Sequence, residues 1–259
     1  LNKTPTVGKA FLCIDDKEIR KILPKVKNRN FFTYGFSKTA NFRISNSAYK
    51  KTHSIFDLTI SIPGTKKIII KKIRLNLMGE YNVLNSAGAL ALCLHIGVDL
   101  KVIRNALKNF SGIKRRLTKV LEINEREFFD DYAHHPTEIK SVLEGVKKVF
   151  DKCEKVCVFQ PHRISRLKDL RNEFTHCFRD ADTIILCPIF TAGEKIKLGF
   201  HYNDFAKEII KNSKVKLFMI KNNIELAKFL KQNIYGKKIV IGMGAGSISN
   251  WMKKLSELM

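Results

Sequence analysis

Residues 130–139 read Asp-Asp-Tyr-Ala-His-His-Pro-Thr-Glu-Ile, and these ten positions decide how the second half of the chain is built. They follow an apolar run, Val120 to Phe129, whose end alternates as a strand does at Glu127, Phe128 and Phe129. They lead into an amphipathic stretch from Thr137 to Phe150 that has the spacing of a helix. Pro136 fits the first turn of that helix, where its missing N–H costs nothing. Two carboxylates, a tyrosine and two histidines therefore fall at the carboxyl end of a strand, just ahead of a helix N-terminus. In open α/β sheets ligands bind at that place, and a helix N-terminus favours anions. Adjacent histidines also occur as a plain surface pair.

Downstream the pattern alternates. Strands are predicted near Glu127 to Asp131, Val156 to Phe159, Thr183 to Cys187, Lys216 to Ile220 and Lys238 to Gly242, separated by helices near 137–150, 167–178, 202–212 and 223–232. Such alternation makes a doubly wound, mostly parallel, Rossmann-like sheet with helices on both faces. Its strand ends share one edge, so loops distant in sequence converge. One of them, Phe159 to Arg166, reads FQPHRISR and sets His162, Arg163 and Arg166 close together. Forked guanidinium groups bind carboxylates bidentately, worth roughly 1.5–3 kcal/mol per charged hydrogen bond; alone, such a loop is a solvated basic turn. The run GMGAGSI, residues 242–248, mimics a dinucleotide fingerprint, but Ser247 stands where the third glycine belongs and no ribose-binding acid follows at the end of a later strand. Its glycines suit a tight strand-to-helix turn instead.

Upstream, KAFLCI at 9–14, a helix capped by Asp15-Asp16 and reaching about Val26, and FFTYGF at 31–36 make a β-α-β unit of a larger sheet. Between Asn41 and Leu77 the period drops to two, with Pro63-Gly64-Thr65 as a turn, which predicts a small, largely antiparallel sheet. A helix opens after Gly79 and carries Asn82 and Asn85 near its start. Two carboxamides there can read the edge of an adenine, or one of them can cap the helix. A helix from Leu100 to Asn109 precedes FSGIKRRL at 110–117, in which Gly112 relaxes the backbone and Arg115 and Arg116 offer forked donors, either to an anion or to water. Beyond about residue 112 the period changes to alternating strand and helix.

The 259 residues, 44% hydrophobic, suffice for one large or two modest globular domains. No apolar run approaches the roughly 20 residues that span a bilayer, and Leu1 to Lys9 carries no signal pattern. A cytoplasmic chain that begins in mid-protein is expected. Six dispersed cysteines lie mostly in apolar segments, and Cys153 with Cys157 lacks the further ligands a zinc site needs, so no metal site is assigned in this chain. The net charge of +24 fits nucleic acid, a membrane surface, a polyanionic small substrate or lysine-rich solvated faces. The lysines are scattered in pairs, without a basic arm or interleaved aromatics, and no nucleic-acid-binding motif appears.

The stretches DDYAHHPTE, FQPHRISR, FSGIKRRL, GEYNVLN, FTAGE (190–194) and GMGAGSI resemble motifs of the peptidoglycan precursor ligases, the Mur ligase family, over roughly residue 8 to the end. Tyr132 and Glu138 resemble the alanine-adding branch; the branch that recycles murein tripeptide tends to carry Phe and Ala there. The resemblance implies that 1–112 is the carboxyl-terminal part of a mixed α/β ATP-binding central domain and 113–259 the Rossmann-like amino-acid-binding domain. It implies ATP-dependent joining of L-alanine to UDP-N-acetylmuramate through an acyl phosphate. Tyr132, His134, His162, Arg163 and Arg166 are then the alanine-side residues, and Asn82, Asn85, Arg116 and Asp131 the ATP-side residues. Departures from the family pattern are Tyr81 for a histidine, Leu117 for a phenylalanine, and Ile164 and Leu167 beside the arginines. The family's phosphate-binding loop, Gly-Thr-His-Gly-Lys-Thr, its Mg2+ ligands and its uridine-nucleotide domain lie upstream of the matching region, and no such loop occurs here. This chain is accordingly expected to be inactive alone. The rival expectations are a tripeptide-recycling ligase and a basic binding module without chemistry.

Overall fold

A computed structural model describes residues 4, 5, 7–26, 30–194 and 201–259; Leu1 to Lys3, read above for a leader, lie outside them. The chain forms two compact units, Leu1–Ser111 and Gly112–Met259.

In the first unit, β1 (Lys9–Cys13) leads through α1 (Lys17–Ile22) to β2 (Asn30–Gly35), followed by β3 (Phe42–Tyr49), β4 (Ser54–Ile60) and β5 (Ile68–Leu75). Asp16 caps α1 by accepting from Ile19 N at 2.8 Å. Asp15 takes no part in that cap. Its carboxylate accepts from Phe36 N and Ser37 N at 2.6 and 3.0 Å and ties the end of β2 back to the α1 turn. The helix gives way to a 3₁₀ turn at Leu23–Lys25, where Pro24 cannot donate. The expected small antiparallel sheet is not separate. β1, β2 and β3 run parallel, β3, β4 and β5 antiparallel, and all five form one sheet in chain order, because β3 pairs with β2 through Tyr34 and Gly35 against Phe42 and Arg43. On its inner face Phe42, Ile44, Phe56, Leu58 and Ile73 pack with Val83, Ala87 and Leu90 of α2 (Glu80–His95) and Ile103 of α3 (Leu100–Asn109).

The second unit opens with a hairpin that the apolar run from Val120 to Phe129 conceals: β6 (Thr118–Ile123) and β7 (Arg126–Asp131), antiparallel. Its two-residue turn, Asn124 and Glu125, has both φ angles positive, at 48° and 63°, which suits the twist of a hairpin although neither residue is glycine. Then follow α4 (Pro136–Val149), β8 (Glu154–Phe159), α5 (Ile164–Asp169), α6 (Arg171–His176), β9 (Thr183–Leu186), α7 (Tyr202–Ser213), β10 (Lys216–Met219), α8 (Asn223–Asn233), β11 (Lys238–Met243) and α9 (Ile248–Leu258). The single helix expected over 167–178 is two short ones. The first begins early, at Ile164, because Glu194 caps it from outside; Leu170, at φ −116°, ends one and starts the other.

The sheet order is β10-β9-β8-β11-β7-β6, parallel except for β6. Successive residues of a strand face opposite sides. Phe128 joins Val156, Val158 and Val240 under α8 and α9, whereas Phe129 meets Phe150 on the other face, where Phe159 packs on Phe174 and Phe178, and Phe174 on Phe205 of α7. Each face is thus an apolar layer closed by helices. Because β11 is inserted between β7 and β8, the carboxyl ends of all three lie side by side.

Candidate functional site

At the end of β7, Asp131 is wholly buried, and its two oxygens accept from Leu117 N at 2.7 Å and Ala133 N at 2.8 Å. Burial pushes its carboxyl up from 3.8 to about 6, against the opposing pull of those two amides and of Arg116. Tyr132 N donates to Arg115 O at 2.7 Å, so the segment 115–117 is laced to 131–133 by backbone and carboxylate together. Tyr132 is 38% exposed, with the Arg115 guanidinium 4.6 Å from its ring centroid on one side and His134 edge-on at 5.1 Å on another. His134 Nδ1 lies 2.9 Å from Tyr132 O, and a carbonyl only accepts, so Nδ1 carries the proton and Nε2 of the neutral ring is the acceptor. His135 starts a helix instead. Its Nδ1 accepts from Thr137 N at 3.3 Å while Glu138 Oε2 accepts from the His134 and His135 amides, a capping box at the head of α4. Of the paired histidines, then, one is turned to the site and one to the helix.

The loop after β8 brings the second group. His162 lies 5.9 Å from His134, ring centroid to ring centroid, and stacks on Phe190 at 5.4 Å. Arg166 Nη1 is 3.4 Å from His162 Nδ1; a guanidinium only donates, so His162 is the Nε2–H tautomer. Burial first, then the positive charge of Arg166, hold the His162 pKa below its ordinary value. Arg163 adopts a left-handed φ of 69°, fixed by its N–H donating to Phe190 O at 2.9 Å, and its side chain is exposed. Glu194 accepts from Ile164 N, Ser165 N and Ser165 Oγ at 2.7, 3.1 and 2.6 Å, which clamps the loop that carries both arginines.

Between these groups comes the turn after β11. Gln160 receives Ile248 N at its Oε1 at 3.0 Å and donates to Ser247 Oγ at 3.0 Å, so a side chain already occupies the N-terminus of α9 where a dinucleotide phosphate would sit. The glycines serve close approach: a Cβ at Gly244 would lie 2.7 Å from Gln160 O, and one at Gly246 2.5 Å from the Phe190 ring.

Tyr132, His134, His162 and Arg166 are therefore assembled in one place, with Arg163 on the same loop. The nucleotide-side residues fall out differently. Asn82 is buried and donates to Met78 O at 2.8 Å, bracing the entry to α2, while Asn85 is exposed. Arg116 is half-buried beside Asp131. The supporting roles of Arg115, Gln160, Phe190 and Glu194 were not assigned from sequence. A glutamate closing FTAGE and a glutamine opening the loop were visible, but only the tertiary contacts show what they hold. No group of three or more His, Cys, Asp or Glu that could hold a metal ion occurs among the described residues, and all six cysteines are free thiols. No helix among them is long and apolar enough to cross a membrane.

Comparison with known proteins gives two family matches: the Mur ligase middle domain over residues 1–93, and the Mur ligase, glutamate ligase domain over residues 115–246. A UDP-N-acetylmuramate–L-alanine ligase of Pelagibacter ubique is 54% identical over 258 residues, covering 100% of this chain and 56% of that protein. The protein of the same name from Rickettsia felis is 36% identical over 260 residues, covering 98% and 54%. The chain spans about half the length of the curated relatives it matches. Among solved structures, a UDP-N-acetylmuramate-alanine ligase of Thermotoga maritima aligns with a TM-score of 0.68 at 23% identity, over 87% of this chain and 47% of that one. A murein peptide ligase of Psychrobacter arcticus aligns with a TM-score of 0.69 at 19% identity, over 98% and 52%, a likeness of fold.

Proposed function

The chain belongs to the Mur ligase family, and from that premise we propose that it supplies the amino-acid site, and part of the ATP site, of a cytoplasmic enzyme that joins L-alanine to UDP-N-acetylmuramate in peptidoglycan precursor synthesis. Residues 1–112 belong in this proposal to the ATP-binding middle domain and 113–259 to the amino-acid-binding domain. The observation that carries it is the meeting of His134 with His162, Arg166 and Tyr132 at the carboxyl ends of β7 and β8, the two parallel strands that flank β11.

The chemistry of that cluster matches the two ends of an amino acid. A carboxylate needs donors, and Arg163, Arg166 and the Nε2–H of His162 are donors only. An amine about to act as nucleophile needs an acceptor, and His134 Nε2 is the acceptor. The depressed pKa of His162 keeps that ring neutral at pH 7, a hydrogen-bond donor that adds no further charge beside two arginines. Tyr132 stands as a wall for the side chain. ATP supplies the phosphoryl group that turns the muramoyl carboxylate into an acyl phosphate, which the amine attacks with loss of phosphate. Asn85 and Arg116 are accessible to the nucleotide, whereas Asn82 and Asp131 act by bracing α2 and the segment of Arg116. No group of three or more His, Cys, Asp or Glu among the described residues gathers to hold Mg2+, and in this reading the ion's ligands belong to the upstream part of the ligase. Positioning and fixed charge are the main contributions asked of this chain.

Titration of L-alanine into the chain, followed by the ring resonances of His134 and His162, tests the proposal. Both rings are expected to shift saturably with L-alanine and not with D-alanine, and Arg166→Ala is expected to weaken binding by tenfold or more, about the worth of one charged hydrogen bond. Rings that stay put with L-alanine but move with murein tripeptide would transfer the assignment to the recycling branch. Rings indifferent to both would sink the amino-acid site altogether.

A further inference from the structure

We propose that Arg115 sets the size of the side chain that the amino-acid site accepts, by holding the Tyr132 ring in place; the proposal rests on that site being the alanine site. Tyr132 follows β7 with 38% of its surface exposed, and its ring meets His134 edge-on at 5.1 Å. On another side it meets a cation, the Arg115 guanidinium, 4.6 Å from the ring centroid. The residue that bears it is held at three points. Its Nη2 donates to Gly244 O in the turn after β11, its Nε lies 3.9 Å from Asp130 Oδ2, and its backbone oxygen receives Tyr132 N at 2.7 Å. Asp130 is 1% exposed; Ser249 Oγ donates to its Oδ2, while Oδ1 has no hydrogen-bond partner among the described residues. A buried carboxylate so sparsely bonded depends on the nearby cation, and that dependence anchors the guanidinium against the ring. Arg115 holds a left-handed φ of 63°, a conformation that its backbone bond to Tyr132 secures. Arg115 is a positioning residue that acts through Tyr132.

The test is selectivity in the full-length ligase, read as kcat/KM for glycine, L-alanine, L-serine and L-2-aminobutyrate in the wild type, Arg115→Ala, Arg115→Lys, Tyr132→Ala and the Arg115→Ala/Tyr132→Ala double variant. Arg115→Ala is expected to lower the preference for alanine over 2-aminobutyrate about tenfold, in keeping with a partly desolvated cation–π contact. The double variant should match Tyr132→Ala with no further loss, and Arg115→Lys, which keeps a cation but not the fork to Gly244, should fall between. An unchanged preference in Arg115→Ala, or additive single effects, overturns the proposal while leaving the alanine reading intact. A wild type that turns over none of these amino acids overturns the alanine reading itself. Should Arg115→Ala fail to fold, with Asp130 left uncompensated, Arg115→Lys carries the test: reduced selectivity supports the proposal and wild-type selectivity refutes it.

Discussion

Asp131 and His162, two buried or half-buried groups of one site, give stability opposite slopes against pH. Folding raises the Asp131 carboxyl from 3.8 to about 6, so between those values the folded chain keeps a proton that the unfolded chain has lost. Its contribution is full below about 3.8 and lost as pH rises through about 6, a difference of roughly 3 kcal/mol. His162 is shifted the other way: its contribution is full above the ordinary imidazole value of about 6.5 and lost as pH falls below it. Urea melts across pH 4–8 should show Asp131→Asn removing the decline between about pH 4 and 6, while turning an amide donor toward the N–H of Leu117 or Ala133 and so costing about 1–3 kcal/mol below pH 4. A decline that persists in Asp131→Asn would mean that another group titrates there. His162→Gln should flatten the acid limb without touching that decline. None of this could be read from DDYAHHPTEI, in which Asp130 and Asp131 look alike. One leans on Arg115 and Ser249 and the other on two backbone amides, and those partners come from residues 115–117, 133 and 249.

Among the elements, α4 was legible to within a residue because Pro136, Glu138 and the apolar spacing of Ile139, Val142, Leu143 and Val146 all agree, whereas the use of His135 as its cap was not. Ring nitrogens are uncommon caps, and nothing in the stretch marks which of the two histidines would serve as one. His135→Ala should cost about 1 kcal/mol of stability and His135→Asn should restore it, since the carboxamide oxygen reaches the same Thr137 amide. Equal melting temperatures for the two variants would remove His135 from the cap. The β6–β7 hairpin escaped notice because Asn124-Glu125 lacks the glycine that marks such turns. Glu125→Gly should relieve the left-handed strain at φ 63° and raise stability by roughly 0.5 kcal/mol after the entropy of the unfolded chain is counted, measurable as a small rise in Tm. A fall would show that the Lys237–Glu125 contact matters more than the backbone.

For the molecule as a whole, the alternation of strands and helices identified the second unit's architecture, but the strand order was beyond reach, since period and propensity say nothing about which strand lies beside which. The +24 charge likewise resolves only in three dimensions: the pairs at 66–67, 71–72 and 147–148 are exposed, as solvated lysines are. Binding to DNA or RNA should be weak, indifferent to sequence and strandedness, and largely gone by about 200 mM salt. A complex selective at that salt would bring back the reading as a basic binding module. The position of β11 has a further consequence, for synthesis. Residue 238 pairs with residues 126 and 154, so the strand that fills the middle of the sheet leaves the ribosome after every strand it joins. Until it arrives β7 and β8 have no common neighbour, and the loops bearing His134 and His162 have nothing to hold them at their distance. The site is thus assembled after translation of the unit is nearly complete, by contacts of high sequence separation that form slowly. A nascent chain stalled before Lys238 would carry every proposed alanine-binding residue and no alanine site.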